Sequence, residues 1–384
     1  MTEYQLIGNH YLLLRELGAG SFATVYKAWD RRLLKYVAVK KIHPHFLKIV
    51  REKDIFENFR NEAVNTAKLD NENIVKAFNF INDGSDWYLI MDYVKGVTLQ
   101  YLLDKATSQG RTLPYELAFF ILLDVMEALK YAHFYQGDLF GSPISFIHRD
   151  ISPDNIMVYY DGRIKLADFG VAKAGASDES LFTGKLTYIS PEQATGQFVG
   201  PQTDLFSSGL VLYEMLTGDK AYKGDIHTIL RKARWARVPK KKLKELELPE
   251  NFSLIISNLL ERKTEKRYAR ASEVIRDIST ELDLYNEEAA LKAELKKFVD
   301  EVLKEEIEAE EEEMAEYSKI DFATVKTVDT SSAPILAPAE KDEDTLMNYD
   351  LSTYWVKRDP VKLLIKYGLI LIAIIIGVII ITGF

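Results

Sequence analysis

The chain has 384 residues, of which 47% are hydrophobic and 28% are charged, a balance that supports buried cores and excludes fully disordered and collagen-like classes. It contains no cysteine, which excludes disulfide scaffolds, thiolate zinc sites and thiol catalysis. The net charge of −9 argues, taken as an average, against nucleic acid and an anionic membrane as partners.

The first patterned element is a glycine-containing turn between two alternating apolar runs, with the sequence LGAGSFATVYK at residues 17–27. Glycines at such a turn let backbone N–H groups approach phosphate oxygens, because no Cβ stands in the way. A predicted strand follows, Val37-Ala38-Val39-Lys40. A lone lysine there is usually an edge residue, but after a glycine turn Lys40 is a candidate phosphate clamp.

Four further motifs follow in the second quarter and middle of the chain. Each alone could be a turn, but their order and spacing leave little room for chance. They are IHRDISPDNIM at residues 147–157, DFG at 168–170, YISPEQ at 188–193 and DLFSSG at 204–209.

With these motifs, residues 11–282 resemble the eukaryotic-like (Hanks-type) protein serine/threonine kinases, in a bacterial branch. The resemblance implies an α+β, two-lobed protein kinase fold with ATP bound between the lobes. A small, mainly antiparallel β lobe with one helix would cover about residues 1–94. A larger, mainly α-helical lobe would cover about residues 95–282.

The resemblance also implies the roles of the site residues. Lys40 would hold the α- and β-phosphates and Glu62 would orient it, while Asp150 would accept the hydroxyl proton of the substrate. Asn155 and Asp168 are oxygen donors suited to Mg²⁺. The remaining ATP contacts implied are Leu17, Gly18, Ala19, Gly20, Ser21, Phe22, Ala23, Val25, Ala38, the hinge residues Met91, Asp92, Tyr93 and Val94, and Met157.

Three other residues match structural positions of the family. Glu192 and Arg267 are expected to form a buried ion pair in the large lobe. Asp204 is expected to brace the catalytic loop with its carboxylate. His43 and His45 flank Pro44 and are interpreted as incidental rather than as metal ligands.

Two departures from the family pattern concern the phosphate site. Ala23 replaces the third loop glycine, which predicts a stiffer loop that still binds ATP. Ser152 stands where most serine/threonine kinases of the family have lysine, and Lys185 stands where they have threonine. We hypothesise that Lys185 supplies the γ-phosphate charge and contacts Asp150 and Ser152; the alternative is a solvent-facing loop lysine.

Arg149 matches a residue that pairs with a phosphorylated activation loop in similar kinases. Ser177, Ser180 and Thr183 lie in that stretch, and Thr183 is the first choice. The sequence does not decide among them.

The excess acid is confined to residues 281–316, which carry fifteen acidic and four basic residues and so a net charge of −11. Leu291, Leu295, Phe298 and Val302 recur at helical spacing. Residues 283–317 are therefore predicted to form a helix with a solvated acidic face at 305–316, or a coiled coil. The basic stretch at residues 231–244 has three interpretations: a nucleic-acid or membrane patch, a solvated face of the large lobe, or a partner of this acidic run.

The last segment is a flexible linker at residues 318–360 and an apolar stretch at 363–384. Residues 367–384 contain no charged side chain, and as a helix they would span about 27 Å. A buried core element is the alternative. Lys357, Arg358, Lys362 and Lys366 precede the stretch, so we expect a single-pass C-terminal anchor in the cell (inner) membrane with the kinase domain in the cytoplasm.

We therefore predict a membrane-tethered serine/threonine protein kinase that transfers the γ-phosphoryl group of ATP, with Mg²⁺, to cytoplasmic proteins and to itself. The expected partners are protein substrates, the lipid bilayer, and a second copy through residues 283–317 or the membrane helix; nucleic acid is not expected. The alternative function is a membrane-tethered pseudokinase scaffold that binds ATP. The substrates and the activating signal are not indicated by the sequence.

Overall fold

The computed structural model describes residues 4–20, 23–43, 67–83, 86–135, 145–169, 186–322, 325 and 327–329, the last three as backbone only. All of them belong to one compact unit, Met1–Ala333. The helix predicted to carry Glu62 and the activation loop at 170–185 lie outside these residues, as does the predicted membrane stretch. In the part of the chain that is described, no helix is both long and apolar enough to cross a bilayer.

The small lobe is built on a seven-stranded sheet with the order β10-β1-β2-β3-β4-β6-β5. All neighbouring strands in it are antiparallel except β10 and β1, which run parallel. Alternating apolar residues such as Val37 and Val39 are fully buried, as expected for strands with one face on a core. The strands are β1 (Tyr4–Ile7), β2 (Tyr11–Ala19), β3 (Ala23–Asp30), β4 (Lys35–Ile42), β5 (Ala77–Asp83), β6 (Asp86–Asp92) and β10 (Thr327–Asp329).

A second sheet of three short strands lies after the hinge and carries the catalytic motifs at its ends. It comprises β7 (Gly96–Thr98), β8 (Ile156–Tyr159) and β9 (Ile164–Leu166), in that order. A Cβ at Gly96 would overlap the backbone of Val158, so only glycine lets β7 approach β8 this closely.

The large lobe is helical. Its central helix α2 is apolar around most of its circumference, and residues such as Phe119, Ile121 and Met126 are fully buried, which is typical of a helix inside a core. The helices are α1 (Leu99–Ser108), α2 (Tyr115–His133), α3 (Pro201–Thr217), α4 (Ile226–Arg234), α5 (Lys240–Glu245), α6 (Glu250–Leu259) and α7 (Ala271–Glu281). The predicted two-lobed architecture is confirmed: a sheet lobe is followed by a helical lobe.

Two more helices follow the large lobe, α8 (Leu284–Val302) and α9 (Lys304–Tyr317). The apolar side of α8, including Leu295 and Val299, is buried in the large-lobe core. The acidic face predicted at 305–316 is exposed at Glu305, Glu308, Glu311, Glu312 and Glu316. Glu310 is the exception, since it is only 6% exposed and contacts the small lobe. The acidic run pairs with Lys27 and Lys105, residues that lie outside the basic stretch 231–244.

Candidate active site

The predicted phosphate loop is the turn between β2 and β3. Gly18 pairs with Val25 and Ala19 with Thr24, and the Gly20 N–H donates to the Ala23 carbonyl over 2.9 Å. A Cβ at Gly18 would meet no atom of the described residues within 4 Å, so among these residues the backbone there borders open space that a ligand can fill. Ser21 and Phe22, at the tip, lie outside the described residues.

Ala23, which replaces the third glycine, lies at the start of β3 and pairs with Ile42 of β4. The side chain is 6% exposed. An extended strand position accepts a Cβ without strain. The alanine is therefore compatible with the backbone that the structure has at this position.

Lys40 lies near the end of β4, where it pairs across the sheet with Val25 and with Leu89. Its ammonium Nζ is 2.7 Å from Oδ1 of Asp168. Desolvation acts to raise the pKa of the Asp168 carboxyl, but the Lys40 charge and hydrogen bond outweigh it and hold that pKa below its usual value. The structure thus brings together the predicted phosphate-binding lysine, Lys40, and one of the two predicted metal ligands, Asp168. Glu62 lies outside the described residues.

The catalytic loop positions Asp150 beside Asn155. The Asn155 side-chain Nδ2 donates to the Asp150 carbonyl over 2.7 Å and to the Asp150 carboxylate Oδ2 over 3.2 Å. Since the amide nitrogen is used in this way, the carbonyl oxygen is the end of Asn155 that remains for a cation.

The two predicted metal ligands belong to adjacent segments. The backbone N–H of Ala167, next to Asp168, donates to the backbone carbonyl of Asn155 over 2.8 Å. Asp168 itself has φ of 60°, a left-handed conformation uncommon outside glycine. Carboxylate and amide oxygens are donors that suit Mg²⁺ bound together with phosphates. The residues present therefore fit a divalent cation that neutralises phosphate charge.

Asp204 braces the catalytic loop from α3. Its fully buried carboxylate accepts hydrogen bonds from the N–H groups of His148 (2.8 Å) and Arg149 (2.7 Å). Burial would raise the Asp204 pKa, but its hydrogen bond with His133 and the nearby charges lower it instead. The braced loop includes Arg149 with φ of 65°, so the bonds hold a backbone conformation that a non-glycine residue rarely adopts.

Two further residues of the site were not predicted from the motifs. His133 Nε2 lies 2.8 Å from the Asp204 carboxylate; its one signal in the sequence is a histidine on the apolar face of a long helical pattern. The Gln193 side-chain amide donates to the Arg149 carbonyl over 2.9 Å. That bond joins the end of the activation segment to the catalytic loop.

The predicted adenine pocket has its apolar residues at the junction of the two sheets. Met91, Met157 and Val94 belong to one apolar cluster, and Ala38 pairs with Met91 across β4 and β6. Leu17, directly before Gly18 in β2, is 39% exposed. The side chains of Asp92 and Tyr93 contact other partners, Lys35 and Glu310 respectively. The Asp92 N–H donates to the Lys76 carbonyl over 2.8 Å, so this N–H is not a donor for a nucleotide.

Phe169, of the DFG motif, is buried against His148, with ring centroids 4.6 Å apart. The His148 ring also contacts the Ala167 carbonyl over 2.8 Å. The aromatic pair therefore ties the motif of Asp168 to the catalytic loop.

The hypothesis of exchanged residues at 152 and 185 stays a prediction. Ser152 is 3% exposed and its carbonyl accepts from the Asn155 N–H over 3.0 Å. Lys185, and the candidate phosphorylation sites Ser177, Ser180 and Thr183, lie outside the described residues.

A buried ion pair between Glu192 and Arg267 lies within the large lobe, as the sequence predicted. Two guanidinium nitrogens of Arg267 lie 2.7 and 2.9 Å from the two carboxylate oxygens of Glu192, and both residues are buried. Burial acts to raise the Glu192 pKa, but Arg267 lowers it overall. Thr203 donates a further hydrogen bond to Glu192 over 2.8 Å.

Comparison with known proteins agrees with this geometry. The family model described as "Protein kinase domain" matches residues 11–308. The chain belongs to the protein kinase family.

Several curated relatives share this region. A probable serine/threonine-protein kinase of Clostridium perfringens is 34% identical over 280 residues, which cover 71% of this chain and 38% of the relative. The tyrosine-protein kinase MasK of Myxococcus xanthus is 31% identical over 273 residues, covering 68% of this chain and 41% of MasK. The chain thus spans about four tenths of the length of these relatives.

A solved structure of Rad53 residues 1–466 in complex with AMP-PNP resembles the chain with a TM-score of 0.56 and 25% identity. The match covers 70% of this chain and 65% of that one.

Proposed function

We propose that this protein transfers the γ-phosphoryl group of ATP to serine and threonine hydroxyls of proteins, itself included. The observation that carries the proposal is the convergence of Lys40, Asp168, Asn155 and Asp150 at one cleft, through contacts of 2.7 to 3.2 Å. A scaffold that only bound nucleotide would have no chemical need for Asp150 and its support.

In this mechanism the small lobe binds the triphosphate. Backbone N–H groups of the glycine turn would contact phosphate oxygens, and Lys40 would hold the α- and β-phosphates. Asn155 and Asp168 would hold Mg²⁺, which supplies charge neutralisation when it is bound. Rad53 is described in complex with AMP-PNP, a relationship that supports an adenine nucleotide as the ligand here.

The chemical step is an in-line transfer. The substrate hydroxyl oxygen bonds to the γ-phosphorus as the bond from that phosphorus to the bridging oxygen breaks, and ADP leaves. The hydroxyl proton passes to the Asp150 carboxylate, which Asn155 orients by the 3.2 Å bond. Asp204 maintains the loop that carries Asp150 through its bonds to His148 and Arg149.

The test is incorporation of γ-labelled phosphate by the purified full chain and by its Asp150→Asn variant, followed by identification of the phosphorylated amino acids. We expect phosphoserine and phosphothreonine from the wild type, and at least about a hundredfold less from the variant. Equal incorporation would contradict the role of Asp150. No incorporation by either, with ATP binding retained, would favour the pseudokinase scaffold. Phosphotyrosine alone would replace the serine/threonine specificity.

We propose further that residues 363–384 anchor the protein in a membrane with the kinase domain on the cytoplasmic side. The support is the uncharged stretch 367–384 and the four basic residues before it. The test compares the full chain with a chain ended at residue 345 in membrane fractionation. We expect the full chain in a pellet that resists alkaline carbonate and the shorter chain in the supernatant; full-length chain in the supernatant would contradict the anchor.

A further inference from the structure

The small-lobe sheet holds a completely buried lysine. The Lys27 side chain on β3 is 0% exposed. Its Nζ lies 5.2, 4.9 and 5.3 Å from the ring centroids of Tyr36, Tyr93 and Tyr317, within the range of cation–π attraction. A buried ammonium is costly unless it is paired and hydrogen-bonded, and the lysine therefore needs the groups that cover it.

The carboxylates that cover Lys27 both come from α9. Glu310 Oε1 lies 2.9 Å from Nζ, and Glu313 contacts the same atom. Arg15 of β2 adds a second cation, 3.5 Å from Glu310 and in direct contact with Glu313. Burial acts to raise the Glu313 pKa, but the hydrogen bonds from Arg15 and Lys27 lower it overall.

The same helix contacts the hinge. The Tyr93 hydroxyl donates to Glu310 Oε1 over 2.7 Å. Burial and this bond raise the Tyr93 pKa well above its usual value, so the phenol stays protonated and acts as a donor. One carboxylate thus joins a small-lobe strand to the segment about which the lobes turn.

The start of α9 and the end of α8 are held by the large lobe. Lys105 of α1 lies 2.8 Å from Glu306, and the Tyr101 hydroxyl donates to the same carboxylate over 2.8 Å. The Gln109 side chain donates to the Val302 carbonyl over 3.0 Å. Leu303, the bend between the two helices, is fully buried.

Beyond α9 the chain continues onto the small lobe. Phe322 is 6% exposed and stacks on Trp29 of β3, with centroids 5.0 Å apart and planes at 27°. The Arg31 side chain donates to the Phe322 carbonyl over 2.7 Å. Strand β10 then pairs with β1. Residues 303–322 therefore run from the large lobe, past the hinge, to the small lobe, and strand β10 lies at the far edge of the small-lobe sheet.

We propose that α9 is an intramolecular clamp that limits the rotation of the two lobes about the hinge and thereby tightens nucleotide binding. The effect on nucleotide binding depends on the ATP site proposed above. Because the clamp bonds both lobes and Tyr93 simultaneously, it raises the fraction of molecules whose cleft is already closed to the binding geometry. Apparent affinity scales with that competent fraction, and preorganisation lowers the cost of binding. Release of α9 loosens the site without any change in its own residues.

The experiment uses the full chain with Glu310→Gln and Glu313→Gln together. We expect the dissociation constant for a non-hydrolysable ATP analogue, measured by titration, to rise about five- to tenfold. Hydrogen exchange of residues 304–317 and of the hinge residues 91–94 should accelerate in parallel. The matched control is Glu311→Gln with Glu312→Gln, which removes the same charge from two exposed positions of the same helix; it should match the wild type in both measurements.

A second variant guards against simple unfolding, since the first leaves Lys27 without its carboxylates. Lys105→Met removes the ion pairs of the large lobe with Glu305 and Glu306 and leaves Lys27 and its carboxylates unchanged, so it should weaken analogue binding in the same direction.

Three results would overturn the clamp. The first is an unchanged affinity for the ATP analogue in a variant whose hydrogen exchange shows that α9 is released. The second is fast hydrogen exchange of α9 in the wild type. The third is an equal loss of affinity in the matched control variant. If the wild type binds no nucleotide, the proposed function fails. Hydrogen exchange of the hinge residues 91–94 in the wild type and the Glu310/Glu313 variant then still decides whether α9 restrains the hinge.

Discussion

Lys40 and Asp168 are 128 positions apart in the chain, and their charged groups lie 2.7 Å from each other across the cleft. The first belongs to the small-lobe sheet, and the second follows the short sheet of the large lobe. Their contact therefore exists only when the lobes are assembled as the structure shows, and it marks the place where phosphate and metal charges would meet.

Lys40→Met is expected to lower kcat/KM for phosphoryl transfer by about a hundredfold or more, because a positioned charge on the phosphates is lost. The measurement is initial rate against ATP concentration with a protein substrate. Lys41→Met serves as the control, since Lys41 pairs with Asp86 at 2.6 Å on the other face of β4. A similar loss from both variants would show that the effect is general damage to the strand.

Asp204→Asn should lower the free energy of unfolding by about 2–3 kcal/mol, because charge-assisted hydrogen bonds to two backbone N–H groups and His133 are weakened. Activity should fall as well, since the loop of Asp150 loses its support. Urea denaturation and initial rates measure the two effects. Asp219→Asn, which removes partly exposed ion pairs with Lys223 and Lys242, should change stability by less than about 1 kcal/mol.

Arg267→Ala should cost about 3–5 kcal/mol of unfolding free energy, because it leaves the Glu192 carboxylate buried and unpaired. The double variant Glu192→Leu with Arg267→Met should lose less than the single variant, since no buried charge remains. Arg276→Ala removes an ion pair whose arginine side chain is 70% exposed and should be nearly neutral. If the double variant were the least stable of the three, the pair would matter for more than charge compensation.

The raised pKa of Asp124 on α2 leads us to expect that the stability of the protein depends on pH. Burial raises its pKa to about 7, although Lys292 opposes the shift. The folded carboxyl therefore binds its proton more tightly than the unfolded one, whose pKa is 3.8. The free energy of unfolding should consequently fall as pH rises from about 4 to about 7, by an amount on the order of 4 kcal/mol for this group.

Asp124→Asn should remove that fall and make the protein more stable than the wild type at pH 8. Urea denaturation at pH 4.5 and pH 8 tests this expectation. Glu127→Gln is the control, because Glu127 lies on the same helix and pairs with Lys130 in solvent. A wild type and an Asn variant with identical pH profiles would contradict a buried titration at Asp124.

The motifs predicted the two lobes and singled out Lys40, Asp168, Asp150 and Asn155, which the structure joins in two contacting pairs. Which residues contact ATP stays a prediction. The environment of α9 was not predictable in the same way. In the run Glu310-Glu311-Glu312-Glu313 the residue types are identical, and only the helical period together with a distant partner separates buried from exposed carboxylates. The partner left one signal, the lysine at position 27 between the apolar and aromatic pairs Val25-Tyr26 and Ala28-Trp29 of β3.

The parallel pairing of β1 and β10 has a mechanical consequence. The register joins Tyr4 to Thr327 and Leu6 to Asp329, so the chain leaves both strands at the same end of the ladder. A pull at right angles to the ladder, applied to the polypeptide beyond residue 329, would therefore load the Leu6–Asp329 pair first and open the pairs one at a time, whereas a pull along the strand would load all of them together.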